Sequence, residues 1–216
     1  MKKQIFASIL ALAMCITIAP ATISAAESFN DVQAEAWYAE DAAYVYDNDL
    51  MDSTGENPLL FSPEAEITRG AAVYSIYRLA GRPDTSSLAN PFDDASYSDA
   101  PNSDYTNAVK WAAENKIISG YGNGKFEPES NITRQDFALI LYNYVQYANI
   151  ELVLAKRTDN LVTTTETAEY AKEAITRLYS GVIINERPGI AFDPNGSITR
   201  AEVAAMLHSV ANFTKA

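Results

Sequence analysis

Phe192-Asp193-Pro194, followed by Ile198-Thr199-Arg200-Ala201-Glu202, decides how the rest of this chain is read, because the same pattern occurs twice before it. Phe61-Ser62-Pro63 leads to Ile67-Thr68-Arg69, and Phe126-Glu127-Pro128 leads to Ile132-Thr133-Arg134. The three threonines are 65 and 66 residues apart, and the Phe and Pro positions step by the same amounts. One structural unit is therefore used three times.

Each Ile-Thr-Arg opens a helical pattern. Thr199 with Glu202 reads as a capping box, in which a hydroxyl and a carboxylate satisfy free amides of the first turn, and Thr133 with Asp136 is a weaker version. With Thr as N-cap, Arg69, Arg134 and Arg200 occupy the first helical position, where the helix dipole favours negative charge. An arginine placed three times against the dipole needs a partner. Free amides, a dipole end and a guanidinium fork suit a carboxylate or phosphate from outside. An Asp or Glu of the same chain is the other reading, and the residues alone leave both open.

The helix after each threonine carries an apolar stripe: Ala72, Ser75, Ile76 and Leu79; Phe137, Ile140, Leu141 and Tyr144; Val203, Met206, Leu207 and Val210. An earlier helix in each unit begins near Tyr38, Tyr105 or Tyr170, tyrosines expected to bury a face. These helices end at Asp49, Lys116 and Gly181, each followed by an aliphatic pair, with Gly181 pointing to a left-handed residue at that place. The glycine-rich loop Gly120-Tyr121-Gly122-Asn123-Gly124 lacks the strand, lysine and helix of a nucleotide loop and reads as tight turns. Helix, loop, helix with one apolar face, used three times, predicts a mainly α, pseudo-three-fold domain in which the three faces bury one another.

Residues 1–26 read as a secretory signal peptide, with Lys2 and Lys3, an apolar run from Ile5 to Ala19 and the small residues Ser24-Ala25-Ala26. Met14 stands where a lipoprotein signal needs a small residue, so Cys15 is not expected to be lipidated. The mature chain is then expected to lack cysteine and disulfides. Loss of the two leader lysines makes the charge still more negative than the formal −12 of the whole sequence, which argues against nucleic acid and an anionic membrane as partners.

Catalysis has little to work with. The single histidine, His208, stands where the other units carry Tyr77 and Tyr142, as a packing ring would. A carboxylate pair of a glycoside hydrolase stays open, since sequence does not show separations. Asp93, Asp94, Asp99 and Asp104 match no calcium-loop spacing and read as a solvated acidic turn. No enzyme activity, metal or cofactor is expected.

The ordered set of a Phe-x-Asp opening, a helix starting at an aromatic, a Gly-containing loop, Phe-x-Pro and Thr-Arg-Ala-Glu resembles the S-layer homology domain, and Thr199-Arg200-Ala201-Glu202 matches its last motif letter for letter. The resemblance covers units at 27–82, 90–148 and 157–216. It implies a three-pronged domain around a central three-helix bundle, with grooves between repeats that bind a secondary cell-wall polysaccharide attached to peptidoglycan, often through pyruvate-ketal carboxylates. By resemblance, Arg69, Arg134 and Arg200 would receive the carboxylate. Asp31 and Asp94 would bond sugar hydroxyls or position an arginine, and Gly120 and Gly122 would let backbone amides come close. Secretion to the bacterial cell surface and non-covalent wall anchoring follow, with self-assembly or a surface-protein partner as the alternative.

Two departures predict unequal grooves. Thr68-Arg69-Gly70-Ala71 lacks the capping acid, and the third opening has Leu161 and Thr163 in place of the Phe and Asp.

Overall fold

The computed structural model describes residues 29–96, 103–153, 166–184 and 192–213. The expected leader, Asp99 and the third opening at Leu161 and Thr163 lie outside the described residues. The described chain runs α1 (Ala39–Asp47), β1 (Gly55–Glu56), β2 (Leu59–Leu60), α2 (Arg69–Leu79), α3 (Ser103–Glu114), α4 (Arg134–Tyr147), α5 (Glu169–Ser180) and α6 (Arg200–Phe213). The architecture is mainly α, as the periodicity predicts. The two short strands form an antiparallel ribbon with Gly55 opposite Leu60.

At its centre the three Ile-Thr-Arg stretches meet. Ile67 N–H donates to Ile198 O (3.3 Å), Ile198 N–H to Ile132 O (3.0 Å) and Ile132 N–H to Ile67 O (3.1 Å). These bonds run one way round a closed ring, and all three side chains are buried. Each unit thus supplies what another needs, because an extended residue has one donor and one acceptor to satisfy once water is excluded.

Helices then leave the ring in pairs. α2 packs on α3, α4 on α5 and α6 on α1. The helix-loop-helix repeat of the sequence is therefore out of step with packing: the second helix of one unit lies on the first helix of the next. α6 on α1 closes the circuit, where His208 Nδ1 lies 2.8 Å from Asp41 Oδ1 and its ring stacks on Tyr44 with centroids 3.9 Å apart. The apolar stripes are buried apart from half-buried Leu79. α2 is enclosed more completely than an amphipathic helix requires, with Val73, Tyr74 and Tyr77 also buried.

The first helices depart from expectation at both ends. Tyr170 is 56% exposed, and Tyr38 and Tyr105 are only half-buried, so these tyrosines flank the helix starts without sealing a core face. At the other end, Asp49 and Lys116 take left-handed φ values of 55° and 58°. In the third unit the left-handed residue is Val182 (φ 60°), not Gly181 (φ −82°). The buried aliphatic pair is accordingly Ile183-Ile184, whose amides both point to Leu178 O, as those of Leu50-Met51 point to Val45 O and Ile117-Ile118 to Ala112 O. Gly181 has a packing reason instead: a Cβ there would stand 3.1 Å from Leu152 Cδ1 and 3.2 Å from Arg177 O.

Candidate anion-binding grooves

The helix-start amides do not remain free. Arg69 N–H donates to Ser130 O (2.9 Å) and Gly70 N–H to Pro128 O (2.8 Å). Arg134 and Gln135 donate in the same way to Gly196 O and Pro194 O, and Arg200 and Ala201 to Ala65 O and Pro63 O. The third amide of each helix goes to its capping threonine: Ala71 to Thr68 (3.3 Å), Asp136 to Thr133 (3.2 Å) and Glu202 to Thr199 (3.3 Å). The amide cradle expected from the sequence is thus consumed in joining each unit to the next.

Arg69 is 5% exposed. Its Nε donates to Phe126 O (3.1 Å), and its guanidinium carbon lies 4.7 Å and 4.8 Å from the ring centroids of Phe126 and Tyr121. Aromatic faces attract a cation without neutralising it. Among the described residues no carboxylate forms an ion pair with Arg69, and Nη1 and Nη2 have no protein partner. The side chain borders a cleft of about 520 Å³ shared with Lys116, Gly120, Tyr121, Asp136 and Tyr170. The acid of that cleft is engaged elsewhere: Tyr170 donates its hydroxyl to Asp136 Oδ1 (2.7 Å), and burial together with this bond pushes the phenol pKa up to about 12.

Arg200 repeats the arrangement one unit on. Its Nε donates to Phe61 O (2.7 Å), its guanidinium lies 4.8 Å from the Phe61 ring centroid, and Nη2 donates to Asp52 O (2.6 Å). The nearby Asp52 carboxylate is taken by Arg78, which grips it with Nη1 at 2.8 Å and Nη2 at 3.0 Å. Burial lowers the pKa of Arg200, against the raising influence of Asp52, Tyr105 and Asp31. Arginine nonetheless stays charged, so Arg200 is also a positive charge with no ion-pair partner among the described residues.

Arg134 differs. Its Nε donates to Glu202 Oε1 (3.0 Å), and Nη2 lies 3.0 Å from Glu202 Oε2, with side-chain exposures of 19% and 13%. Glu202 meanwhile closes the predicted capping box by accepting Thr199 N–H at 2.9 Å. Of the two readings open in the sequence, own-chain pairing holds here, while Arg69 and Arg200 have no ion-pair partner among the described residues.

Asp31 and Asp94 support the arginines at one remove. Asp31 accepts the amides of Phe61 (2.9 Å) and Ser62 (2.7 Å), and Asp94 those of Phe126 (2.9 Å) and Glu127 (3.0 Å). Burial raises the Asp94 carboxyl pKa, but these amide bonds outweigh it and hold the group below its ordinary value. Phe29 and Phe92, which begin the same openings, pack on Phe61 and Phe126 at 5.4 Å and 5.5 Å. Each opening therefore fixes the phenylalanine whose carbonyl and ring hold an arginine. Gly120 lines the cleft where a Cβ would meet Lys125 O and Phe92 Cε1, both at 2.5 Å. Gly122 lies in the exposed part of the same loop at φ 85°.

Tyr121 and Tyr170 are cleft residues that the sequence reading assigned to a tight turn and a buried face. No group of three or more His, Cys, Asp or Glu side chains converges among the described residues, and no helix among them is long and apolar enough to cross a membrane. Asp94 and Asp104 of the acidic turn serve loop amides and the Tyr74 hydroxyl.

The chain is 29% identical over 152 residues to a cellulosome-anchoring protein of Acetivibrio thermocellus, covering 69% of this chain and 33% of that protein. It is 27% identical to S-layer protein EA1 of Bacillus anthracis over 95% of this chain and 22% of that protein. An endoglucanase of Bacillus sp. (strain KSM-635) is 25% identical over 84% of this chain and 18% of its own length. This chain thus spans a third or less of these curated relatives. The S-layer homology domain profile matches residues 28–73, 96–138 and 164–204, together more than half of the sequence. With that profile found at three tandem positions, each ending within the helix opened by Ile-Thr-Arg, the chain belongs to the S-layer homology domain family.

Proposed function

We propose that this chain anchors non-covalently to the bacterial cell wall by docking carboxylates of a peptidoglycan-linked acidic polysaccharide, pyruvate ketals among them, against Arg69 and Arg200 in the grooves between repeats. Family membership together with the cellulosome-anchoring and S-layer relatives supports a position at the bacterial cell surface and an anchoring role. The endoglucanase match covers only a small part of that enzyme and carries no activity over.

The observation that carries the reading is Arg69: a residue 5% exposed, its guanidinium beside the Phe126 and Tyr121 rings, without a counter-ion among the described residues and bordering a cleft. A charge removed from water in this way gains from an incoming carboxylate that can form charge-assisted hydrogen bonds. Gly120 lets the loop backbone come close to that cleft, and the Tyr170 hydroxyl and Asp136 carboxylate offer polar groups for sugar hydroxyls.

Sedimentation with purified sacculi tests the proposal. The protein is expected to co-sediment with sacculi carrying their polysaccharide and to stay in solution when that polymer has been extracted. Equal retention on stripped sacculi would overturn it. Arg69→Ala is expected to weaken binding by roughly 1.5–3 kcal/mol, the scale of one charge-assisted hydrogen-bond set.

A further inference from the structure

We propose that the residue at the third helical position of the following repeat decides which groove accepts an outside carboxylate: Glu202 occupies the Arg134 groove as a built-in substitute for the ligand, whereas Arg69 and Arg200 have no such carboxylate among the described residues. The inference rests on the anion-docking reading above and adds to it which grooves are filled and by what rule.

The three positions are related by the ring. Arg69 at the start of α2 faces the start of α4, whose third residue is Asp136; Arg134 faces α6, with Glu202; Arg200 faces α2, with Ala71. Only glutamate has both the charge and the reach. Its two oxygens take Arg134 Nε and Nη2, each at 3.0 Å, so the pair is bidentate and largely withdrawn from water. Asp136, one methylene shorter, bonds Tyr170 and forms no ion pair with Arg69. Ala71 has no charge to offer Arg200, and Asp52, whose carbonyl accepts from Arg200, has its carboxylate held by Arg78.

Arg69 and Arg200 also differ from each other. Among the described residues both Arg69 Nη atoms lack a partner, so an incoming carboxylate can be held by two parallel bonds. At Arg200, Nη2 is already committed to Asp52 O. The order expected is Arg69 tightest, Arg200 weaker and Arg134 closed.

Calorimetric titration of the full protein with a pyruvylated disaccharide reads this order as a count of sites. Wild type is expected to show two. Glu202→Gln keeps an amide that can still cap the helix but removes the charge, and is expected to show a third site that Arg134→Ala in the same background abolishes. Ala71→Glu is expected to close the Arg200 groove, and Arg69→Ala to remove the tightest site with a loss of ten-fold or more. A Glu202→Gln protein with the wild-type count, or an Ala71→Glu protein that keeps both sites, would overturn the inference.

A ligand-free arm separates this from failure of the docking reading itself. In thermal melts, Arg134→Ala and Glu202→Gln are each expected to lower Tm without adding to one another, whereas Arg69→Ala and Asp136→Asn add independently. Coupling at Arg69 and Asp136 as strong as at Arg134 and Glu202 would overturn the occupancy rule. Absence of disaccharide binding by wild type, with the two cycles as expected, would instead remove the docking reading and leave the sealed groove standing.

Discussion

Arg134 and Glu202 stand at the starts of two different helices, 68 residues apart in the chain, and form a bidentate pair at 3.0 Å. Glu202 holds its own helix start through Thr199 with the same carboxylate, so one side chain caps α6 and neutralises the start of α4.

Truncating Glu202 should therefore cost more than the loss of a surface charge. Glu202→Ala removes a capping partner and leaves Arg134 largely buried without its counter-ion; a loss of about 2–4 kcal/mol is expected. Glu202→Gln, which retains the cap, should lose about half of that. Urea denaturation at neutral pH measures both; equal losses would show that the cap contributes nothing, and an undiminished Glu202→Gln protein that the charge contributes nothing.

Asp94 makes stability depend on acid. Its pKa is depressed in the fold by the amides of Phe126 and Glu127, so its contribution is present above the unfolded carboxylate value of about 3.9 and is lost as pH falls through the folded value. Asp94→Asn presents an NH₂ group to one of those amides and should cost about 1–3 kcal/mol at neutral pH. Its stability should then fall less than that of wild type between pH 6 and pH 3. Parallel pH curves for the two proteins would contradict this.

Val182 sits at φ 60°, where its branched Cβ crowds the backbone. Val182→Gly is expected to stabilise the fold by about 1 kcal/mol, and Gly181→Ala to destabilise it by about 1–3 kcal/mol, because its new methyl meets Leu152 and the Arg177 carbonyl. The opposite ranking in denaturant midpoints would contradict both the strain at Val182 and the crowding at Gly181.

Gly120→Ala should act on the Arg69 cleft more than on the core. The added Cβ would meet Lys125 O at 2.5 Å, and the same carbonyl accepts Tyr121 N–H at 3.1 Å, so the loop must shift and take the Tyr121 ring with it. Loss of that cation–π contact, worth about 0.5–1 kcal/mol, should weaken binding to polymer-bearing sacculi about two- to five-fold. Unaltered binding would remove Tyr121 from the groove.

Local chemistry is what the chain announces by itself. The capping threonines, the stripes from Ala72, Phe137 and Val203 onward and the Thr199–Glu202 box are relations between residues three or four apart, and the helix geometry that realises them is the same in any surroundings. The mainly helical class and the three-fold repetition follow from such relations, as does the resemblance that leads to the family.

What only the tertiary structure decided is which distant groups share those helix starts. The one-way ring through Ile67, Ile198 and Ile132, the neighbouring carbonyls that consume the first-turn amides and the assignment of Glu202 to Arg134 all join units about 65 or about 130 residues apart. The left-handed place at Val182 was decided there too, since Gly181 is kept for its contact with Leu152. The physical reason is that a buried donor or charge must be satisfied by whatever the fold brings within about 3 Å, and sequence order carries no measure of that distance.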